Sequence, residues 1–516
     1  MSIVSHSQSL SGAFREFRSE RLARAMLSLN ARILVFALIG LGLLLRASQY
    51  LSRRSLWMDE AMLALNIIHK SYAALLKPLD YNQAAPVGFL WVERAAVQIF
   101  GDNELALRLF PFLCGIGVLF LFYRLVTQVL DRSSVIAALL LCSCSYRLIY
   151  YSSEVKPYIV DTFVLLILLY SAIRLDASPF SRSRTAAWCG LGALLIWFSY
   201  SAGLVLAGAS ACLLADYLFR KDWRALFETA AACLLWALSA TLVYYVSHQY
   251  TKNQYLMDYW SSSFMPMPPK SMADIRWFDN TFLGLFQNPI GLFPSSVAAF
   301  AFINGCVRVG SQERTRCALL LSPVVAALVA SAFRIYPFNG RLLLFIIPSF
   351  LILVSAGAAG FAAGERGPMR SMNRVMTVVL VVPVVLYSMT IFAKPLLDED
   401  IKPTMDYMRK HWIDGDIVYV DAGSVPAFVY YAEKYGFKNE DYTLGRFHGS
   451  DPSAYAAEVD GIGVHRRLWL LVSHIRQGEV GAKTYLPSYV ERKSRQAMTF
   501  EATGAFVRLY EVNADR

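Results

Sequence analysis

The chain has 516 residues, of which 56% are hydrophobic and only 17% are charged, and its mean hydropathy is +0.42. A soluble globular protein of this length would carry more charge and fewer aliphatic runs, so the composition excludes that class. The formal net charge of +11 would suggest nucleic-acid binding in a soluble protein. Here the excess falls largely in short loops between apolar runs, so we expect no nucleic-acid partner.

Residues 1–30 form a polar, arginine-bearing segment that we expect to be cytoplasmic. From residue 31 to 394 the chain is built of apolar runs of about 17–25 residues, long enough to cross a hydrocarbon core of ~30 Å. About eleven transmembrane helices are predicted, at roughly 32–51, 106–125, 134–151, 158–174, 186–200, 202–219, 225–246, 291–308, 317–335, 341–363 and 374–393. The sequence therefore predicts an α-helical polytopic membrane protein.

The loops predict the orientation of these helices. With the N-terminus inside, every loop on the cytoplasmic side carries arginine or lysine, as the positive-inside rule requires. An odd number of helices then places the loop with Asp59 and Glu60 and the whole C-terminal region on the extracytoplasmic side. The expected location is the cell membrane, with multiple passes.

The first extracytoplasmic loop, residues 52–105, contains the adjacent carboxylates Asp59 and Glu60 directly after Trp57. Acidic side chains at a bilayer boundary are costly to desolvate, and those retained there are often functional. The alternative is that the pair only stabilises the first turn of a following helix, because carboxylates favour helix N-termini.

The same loop predicts two short helices, at 61–76 and 86–100, which suit the plane of the membrane interface. Asn82 and Gln83 lie in the turn between them. If the helices form a hairpin, this turn points back toward the carboxylate pair.

Two further loops carry charged side chains near the membrane edge. Glu154 and Lys156 lie in the second extracytoplasmic loop, just before Tyr158. A lysine there offers a point charge for phosphate, although a local ion pair without function is the alternative. Tyr336 and Arg341 lie on a later turn, where an arginine fork matches phosphate oxygens; the alternative is snorkelling to lipid headgroups.

Another extracytoplasmic loop, residues 247–290, is aromatic and proline-rich and is suited to covering a site. From residue 395 the charge rises and the long apolar runs stop. Strands are predicted near 417–421 and 468–473 and helices near 402–411 and 425–435. Residues 395–516 are therefore expected to form a small extracytoplasmic α/β domain.

Acidic residues and separate cationic residues thus share one predicted side of the membrane. An acid centre for a hydroxyl and a basic centre for a phosphate suit sugar transfer from a lipid phosphate. No histidine cluster, zinc spacing or Ser-His-Asp set is visible, so no cofactor is predicted. A divalent metal near Asp59-Glu60 is left open.

The order of these motifs resembles the GT-C glycosyltransferases, in particular the branch (families 39 and 83) of the protein O-mannosyltransferases and the aminoarabinose transferases of lipid A. The resemblance covers residues 30–394 in topology. It implies an inverting transfer of a sugar from a polyprenyl-phosphate donor to a hydroxyl or phosphate of a glycan, lipid or protein acceptor, with membrane lipid as a further partner.

The resemblance also implies roles for single residues. Asp59 matches the carboxylate that acts as general base, and Glu60 matches its neighbour. The nearest matches for substrate and donor-phosphate contacts are Glu154, Lys156, Tyr158, Tyr336 and Arg341, with Asn82 and Gln83 in the first loop. Some relatives carry an acidic or basic residue where this chain has Asn82-Gln83, so acceptor handling differs there.

Two other classes of function are compatible with the composition. A transporter or flippase of a lipid-linked or anionic solute would show inverted repeats and charged or broken helices at the midplane. No repeat is visible, and the charged candidates lie at the outer edge. A non-catalytic scaffold would bind its partners through residues 395–516.

Overall fold

The structure is a computed structural model that describes residues 32–176, 182–247, 254–359, 368–449, 451–462, 467–474 and 482–512. The segment 1–30, predicted to be cytoplasmic, lies outside these ranges. The helices are, in chain order, α1 (Arg32–Leu51), α2 (Met58–His69), α3 (Val87–Phe100), α4 (Glu104–Leu107), α5 (Leu109–Val129), α6 (Arg132–Cys144), α7 (Tyr146–Tyr151), α8 (Tyr158–Asp176), α9 (Arg182–Leu195), α10 (Ser201–Arg220), α11 (Trp223–Val246), α12 (Gln254–Tyr259), α13 (Met272–Gln287), α14 (Ser295–Gln312), α15 (Arg314–Ala332), α16 (Ile347–Ala359), α17 (Pro368–Met389), α18 (Lys402–Lys410), α19 (Val425–Ala432), α20 (Pro452–Asp460) and α21 (Ala482–Glu491).

Within the described ranges, 8 helices are long and apolar enough to cross a membrane. They begin at Arg32, Leu109, Tyr158, Ser201, Trp223, Arg314, Gly340 and Ser371. The other three predicted spans are also helical, but α6, α9 and α14 are shorter or less apolar. The prediction of a polytopic α-helical membrane protein is confirmed.

The predicted span 134–151 is interrupted at Ser145, which separates α6 from α7. Ser145 leaves the helical region (φ −61°, ψ 108°) and its hydroxyl accepts a hydrogen bond from Leu148 N at 3.4 Å, as an N-cap does. Arg46, fully buried in α1, donates to the carbonyls of Cys142 and Ser143 at the end of α6. Two carbonyls and one amide freed at the break are therefore satisfied, and α7 leads directly into the loop with Glu154 and Lys156.

The predicted span 341–363 also departs from a regular α-helix. Residues Gly340–Ile346 form a 3₁₀ helix, and α16 begins only at Ile347. Pro348 explains the change, because its ring would clash with the carbonyl of residue 344 in a continuous α-helix. Gly340 permits the left-handed backbone (φ 47°) at which this segment starts. Arg341 thereby lies on the tighter 3₁₀ turn.

The two predicted helices of the first loop are present, with shifted ends. The first begins at Met58 instead of residue 61 and ends at His69, followed by a separate 3₁₀ turn at Ala74–Leu76. The earlier start puts Asp59 and Glu60 into the first turn, where the helix dipole favours negative charge. The second, α3, begins after Pro86 and ends at Gly101 (φ 84°).

The C-terminal region forms a five-stranded sheet in the order β2-β1-β3-β5-β4. Its strands are β1 (Ile417–Val420), β2 (Tyr442–Leu444), β3 (Arg467–Ser473), β4 (Ser494–Ala502) and β5 (Ala505–Val512). β2, β1 and β3 are parallel, whereas β3, β5 and β4 are antiparallel. The predicted strands and helices of this small α/β domain are present, but the β4-β5 hairpin and β2 were missed.

This domain is held against the start of α2. Helix α19 packs on α2, and the hydroxyl of Tyr431 accepts a hydrogen bond from Leu56 N at 3.0 Å. The linker, residues 396–400, crosses the same region: Asp398 accepts from the Tyr150 hydroxyl at 2.7 Å, and Asp400 accepts from the Ser55 hydroxyl. The C-terminal domain is therefore a neighbour of the residues that the sequence marks as a site.

Candidate active site

Asp59 lies at the centre of a cluster that joins three distant parts of the chain. Lys156 Nζ donates to Asp59 Oδ1 at 2.9 Å, and Arg341 Nη2 lies 2.9 Å from Oδ2. Gln83 connects the first two, donating to Asp59 Oδ1 at 3.3 Å and accepting from Lys156 Nζ at 2.6 Å. The structure thus brings together four of the residues that the sequence singled out.

The two oxygens of Asp59 differ in their bonding. Oδ1 accepts from Lys156 and Gln83, whereas Oδ2 has no hydrogen-bond partner in the part of the chain that the structure describes. The contact of Arg341 with Oδ2 is close enough for an ion pair but does not have hydrogen-bond geometry. Oδ2 therefore keeps an unused acceptor position next to a cation.

The charge of Asp59 is strongly stabilised by this arrangement. Burial alone would raise the pKa of its carboxyl group, but Lys156 and Arg341 outweigh burial and lower the pKa to about 2, from an ordinary value of 3.8. The carboxylate side chain is 13% exposed overall, but its Oδ2 atom, beside Arg341, is buried. In the resting protein it is ionised throughout the neutral range.

Acid titration should reveal this ion pairing. Because the pKa of Asp59 is lower in the folded protein, its stabilising contribution is present above pH ~4 and is lost as the pH falls through about 2. We expect the wild type to be more stable than Asp59→Asn above pH 4, by on the order of 2 kcal/mol, and this difference to vanish at pH 2. Thermal unfolding in detergent between pH 2 and 7 measures both; a difference that is constant with pH would contradict the ion pairing.

Glu60 lies behind Asp59 in a wholly buried network. Its carboxylate accepts from Arg108 at 2.7 and 2.9 Å, from Arg54 at 2.8 Å, and from Val155 N at 2.9 Å. The side chains of Arg54, Arg108 and Glu60 are at most 1% exposed. Burial opposes ionisation, but the two arginines lower the pKa of Glu60 below its usual value. Glu60 therefore ties α2 to the preceding segment, to the start of α5 and to the loop after α7.

Glu154 contacts the site through Trp57. Its Oε1 accepts from Trp57 Nε1 at 3.0 Å, and its Oε2 is buried without a hydrogen bond among the described residues. Burial and the nearby Glu60 raise the pKa of Glu154, which favours its neutral, protonated form. With Asp59 and Glu60 ionised, the cluster has fewer negative charges than the four cations Arg54, Arg108, Lys156 and Arg341. This surplus suits an anionic substrate group.

The remaining predicted residues surround this centre. The Arg341 guanidinium carbon lies 5.7 Å from the ring centre of Tyr158 and 5.5 Å from that of Trp57. Tyr336 donates its hydroxyl to Leu342 O at 2.7 Å and stands in a cavity wall. Asn82 is exposed on the turn beside Gln83, with a left-handed backbone (φ 53°).

An apolar cavity of about 320 Å³ adjoins the cluster. Its wall includes Ala84 and Leu342, the chain neighbours of Gln83 and Arg341, together with Tyr336. Helices α10, α11 and α12 complete the wall with apolar side chains such as Leu204, Val243 and Leu256. The loop at residues 247–290, suited by its sequence to covering a site, contributes to this cavity through α12 and Phe264.

The carboxylates of this cluster do not fit a divalent cation. Each of Asp59 and Glu60 is already paired with two cationic side chains. Across the described ranges, no group of three or more His, Cys, Asp or Glu side chains is placed to hold a metal ion. We therefore derive no chemical step through a metal.

Sequence reasoning did not find Arg54 and Arg108. Arg54 lies a few residues after the predicted span 32–51 and Arg108 lies inside the predicted span 106–125, where burying a guanidinium is expensive. This cost could have marked both arginines in the sequence, because an arginine retained at such a position needs a buried partner for its charge. The partner itself is 48 residues from Arg108 in the chain, a distance over which sequence gives no pairing.

Comparisons with known proteins bear on the fold of this chain. Residues 84–247 match the family model of the dolichyl-phosphate-mannose-protein mannosyltransferases. No curated protein matches the sequence.

ArnT from Cupriavidus metallidurans bound to undecaprenyl phosphate is similar with a TM-score of 0.53 at 12% identity, over 92% of this chain and 97% of ArnT. The same protein in the apo state gives 0.51 at 12% identity, with the same coverage. An oligosaccharyltransferase from Archaeoglobus fulgidus, in complex with Zn and sulfate, gives 0.51 at 11% identity, over 91% of this chain and 72% of that protein. The predicted resemblance is confirmed: this chain has the GT-C fold of membrane glycosyltransferases of the mannosyltransferase and ArnT type.

Proposed function

We propose that this protein is an inverting membrane glycosyltransferase, which moves a sugar from a polyprenyl-phosphate-sugar donor to an acceptor hydroxyl or phosphate of a glycan, lipid or protein. The observation that carries the proposal is the single cluster in which a carboxylate, Asp59, meets Lys156 and Arg341 beside an apolar cavity. That ArnT has been solved with undecaprenyl phosphate supports a lipid-phosphate donor.

The donor would place its phosphate against Lys156 and Arg341. Arginine and lysine form charge-assisted hydrogen bonds with phosphate oxygens and neutralise charge that develops on the departing phosphate. The apolar cavity next to Arg341 would take the first part of the isoprenoid chain. No nucleotide is needed by such a donor.

Donor binding would also activate the base. In the resting protein both cations are engaged with Asp59, and a carboxylate with a pKa of about 2 is a poor base. A donor phosphate competes for the same cations. As Arg341 turns to the phosphate, Oδ2 loses its counter-charge and the pKa of Asp59 rises toward the working range.

The chemical step then has a defined proton path. The acceptor hydroxyl donates its proton to Asp59 Oδ2, and the acceptor oxygen attacks the anomeric carbon from the face opposite the phosphate. The bond from the anomeric carbon to the phosphate oxygen breaks, and its electron pair remains on the lipid phosphate, where Lys156 and Arg341 stabilise it. This produces an inverted glycoside and a protonated Asp59.

Glu60 has a supporting place in this proposal. Its carboxylate is completely occupied by Arg54, Arg108 and Val155 N, so it fixes the first turn of α2, from which Asp59 projects. Gln83 orients Lys156, and Tyr158 packs against Arg341. Tyr336 shapes the cavity wall.

The reaction would take place at the extracytoplasmic face of the cell membrane. The basic loops predicted on the opposite side support this orientation. Residues 31–394 would form the catalytic domain and residues 395–516 an extracytoplasmic domain, with 1–30 in the cytoplasm.

The direct test uses the purified protein in proteoliposomes with a radiolabelled polyprenyl-phosphate sugar and an extract of membrane glycans and lipids as acceptor. We expect label to move to the acceptor and free polyprenyl phosphate to accumulate. Movement of the labelled donor across the bilayer without any transfer would instead establish a flippase and overturn the proposal.

Arg341 should control both donor affinity and the order of binding. We expect Arg341→Ala to raise the donor KM by about 10–100-fold, because a charged hydrogen bond is worth ~1.5–3 kcal/mol. Arg341→Lys should recover only part of this, since lysine lacks the planar fork. Initial-rate kinetics should show donor binding before acceptor in the wild type and loss of that order in Arg341→Ala.

The matched control is Arg276→Ala, which removes an exposed arginine on α13. It should leave the donor KM within twofold of wild type. An unchanged donor KM in Arg341→Ala would remove Arg341 from the donor site.

A further inference from the structure

A buried histidine of the C-terminal domain contacts Trp57, which lies next to the proposed catalytic residues. His474 directly follows β3 and is only 9% exposed. Its imidazole stacks on the indole of Trp57, with ring centres 6.1 Å apart and planes inclined by 14°. Its Nδ1 contacts Glu399 Oε1. His474 thus lies directly against Trp57, the residue that precedes α2, and Glu399 contacts the histidine.

Trp57 also contacts two residues of the proposed reaction centre. Its Nε1 donates to Glu154 at 3.0 Å, and the Arg341 guanidinium carbon lies 5.5 Å from its ring centre. Arg341 in turn pairs with Asp59 Oδ2. The position of the indole therefore affects two groups that surround the catalytic carboxylate.

Glu399 fixes the histidine relative to α2. While Oε1 contacts His474, Oε2 accepts a hydrogen bond from Met58 N, the first residue of α2, at 3.3 Å. Glu399 lies in the linker, whose neighbours Asp398 and Asp400 bind Tyr150 and Ser55. The imidazole is thus held from one side by the linker and packs with its face on Trp57.

The backbone of His474 supports a specific role for its ring. Its φ is +60°, in the left-handed region that non-glycine residues adopt at a cost of roughly 1 kcal/mol or more. Glycine or asparagine would adopt this conformation more easily. A histidine held there by its surroundings places an aromatic ring against Trp57.

We infer that His474 is a positioning residue of the transfer reaction: its ring fixes the Trp57 indole, and through it Arg341 and Glu154, relative to Asp59. The inference rests on the proposed function. It gives the C-terminal domain a part in catalysis, since without this domain one face of Trp57 would lose its packing.

The kinetic test first replaces the imidazole ring of His474 by a side chain that accepts the left-handed backbone at this position. Asparagine accepts the left-handed conformation but cannot stack, so we expect His474→Asn to lower kcat on the order of tenfold, because misplaced catalytic groups lose rate steeply. His474→Phe keeps a stacking ring and should recover most of kcat. The matched control is His448→Asn, a histidine of the same domain that contacts Tyr455 and Glu458; it should leave kcat unchanged.

A kcat for His474→Asn equal to wild type would overturn the inference. So would a His474→Phe variant that is as slow as His474→Asn while unfolding at the wild-type temperature, because the ring would then not be what matters.

A spectroscopic measurement tests the contact without any transfer assay. In protein labelled with 5-fluorotryptophan, the ¹⁹F resonance of Trp57 is the one missing from Trp57→Phe. We expect His474→Asn to shift this resonance and His448→Asn to leave it in place. An unmoved resonance refutes the positioning role, whereas absence of transfer by the wild type with a shifted resonance refutes only the proposed function.

Discussion

Replacing Asp59 by asparagine is expected to abolish sugar transfer, lowering kcat by about 10²–10⁴-fold, the contribution of a positioned general base. The amide keeps the size of the side chain but cannot accept the acceptor's proton at the position of Oδ2. The donor should still bind, because Lys156 and Arg341 remain and are relieved of their competing partner. The measurement is a single-turnover transfer assay together with binding of polyprenyl phosphate.

Two results would contradict the role of Asp59. One is turnover at the wild-type rate in Asp59→Asn. The other is a comparable loss in Asp279→Asn, which changes an exposed aspartate on α13 and should be silent. If Asp59→Asn lost donor binding to the same extent as it lost rate, Asp59 would be assigned to donor binding instead of proton transfer.

Replacing Glu60 by glutamine is expected to have the largest effect on stability. It leaves Arg54 and Arg108 buried without a counter-charge, and breaking a buried ion pair in this way costs about 3–5 kcal/mol. We expect a large drop in the unfolding temperature in detergent or loss of monodisperse protein. Glu440→Gln removes a pair in which both side chains are about 75% exposed, and should change stability by less than ~1 kcal/mol.

A double-mutant cycle separates the ion network from other effects. Arg108→Gln combined with Glu60→Gln should be less destabilised than the two single changes added together, because one unpaired charge is removed with its partner. If Glu60→Gln unfolds like the wild type but is inactive, Glu60 contacts substrate directly and the supporting role is wrong.

The sequence was informative where chemistry and membrane boundaries coincide. Asp59, Lys156 and Arg341 each follow or precede an apolar run on the same predicted side, and the structure brings them within hydrogen-bonding distance. The helical spans followed from apolar length, and the buried strands β1 and β3 from their short apolar runs. These signals depend only on residues that are close together in the sequence, so the sequence alone is enough to recognise them.

Features that depend on partners far apart in the sequence could not be predicted from it. The break at Ser145 needs Arg46 from α1 to satisfy the freed carbonyls. The β4-β5 hairpin was missed because β4 alternates between partly buried and exposed residues, without a continuous apolar run. His474 looked like an isolated histidine, since its partners Trp57 and Glu399 lie 417 and 75 residues away.

Glu60 and Trp57 make their contacts with residues that are synthesised much later in the chain. Glu60 meets Arg108 only after 48 more residues have been made, and Val155 after 95. Trp57 obtains its stacking partner only at His474, 417 residues further along the chain. Chains fold from the N-terminus as they emerge, so a ribosome-bound chain that stops before His474 should lack the stacking contact on Trp57 even when its helices have already inserted.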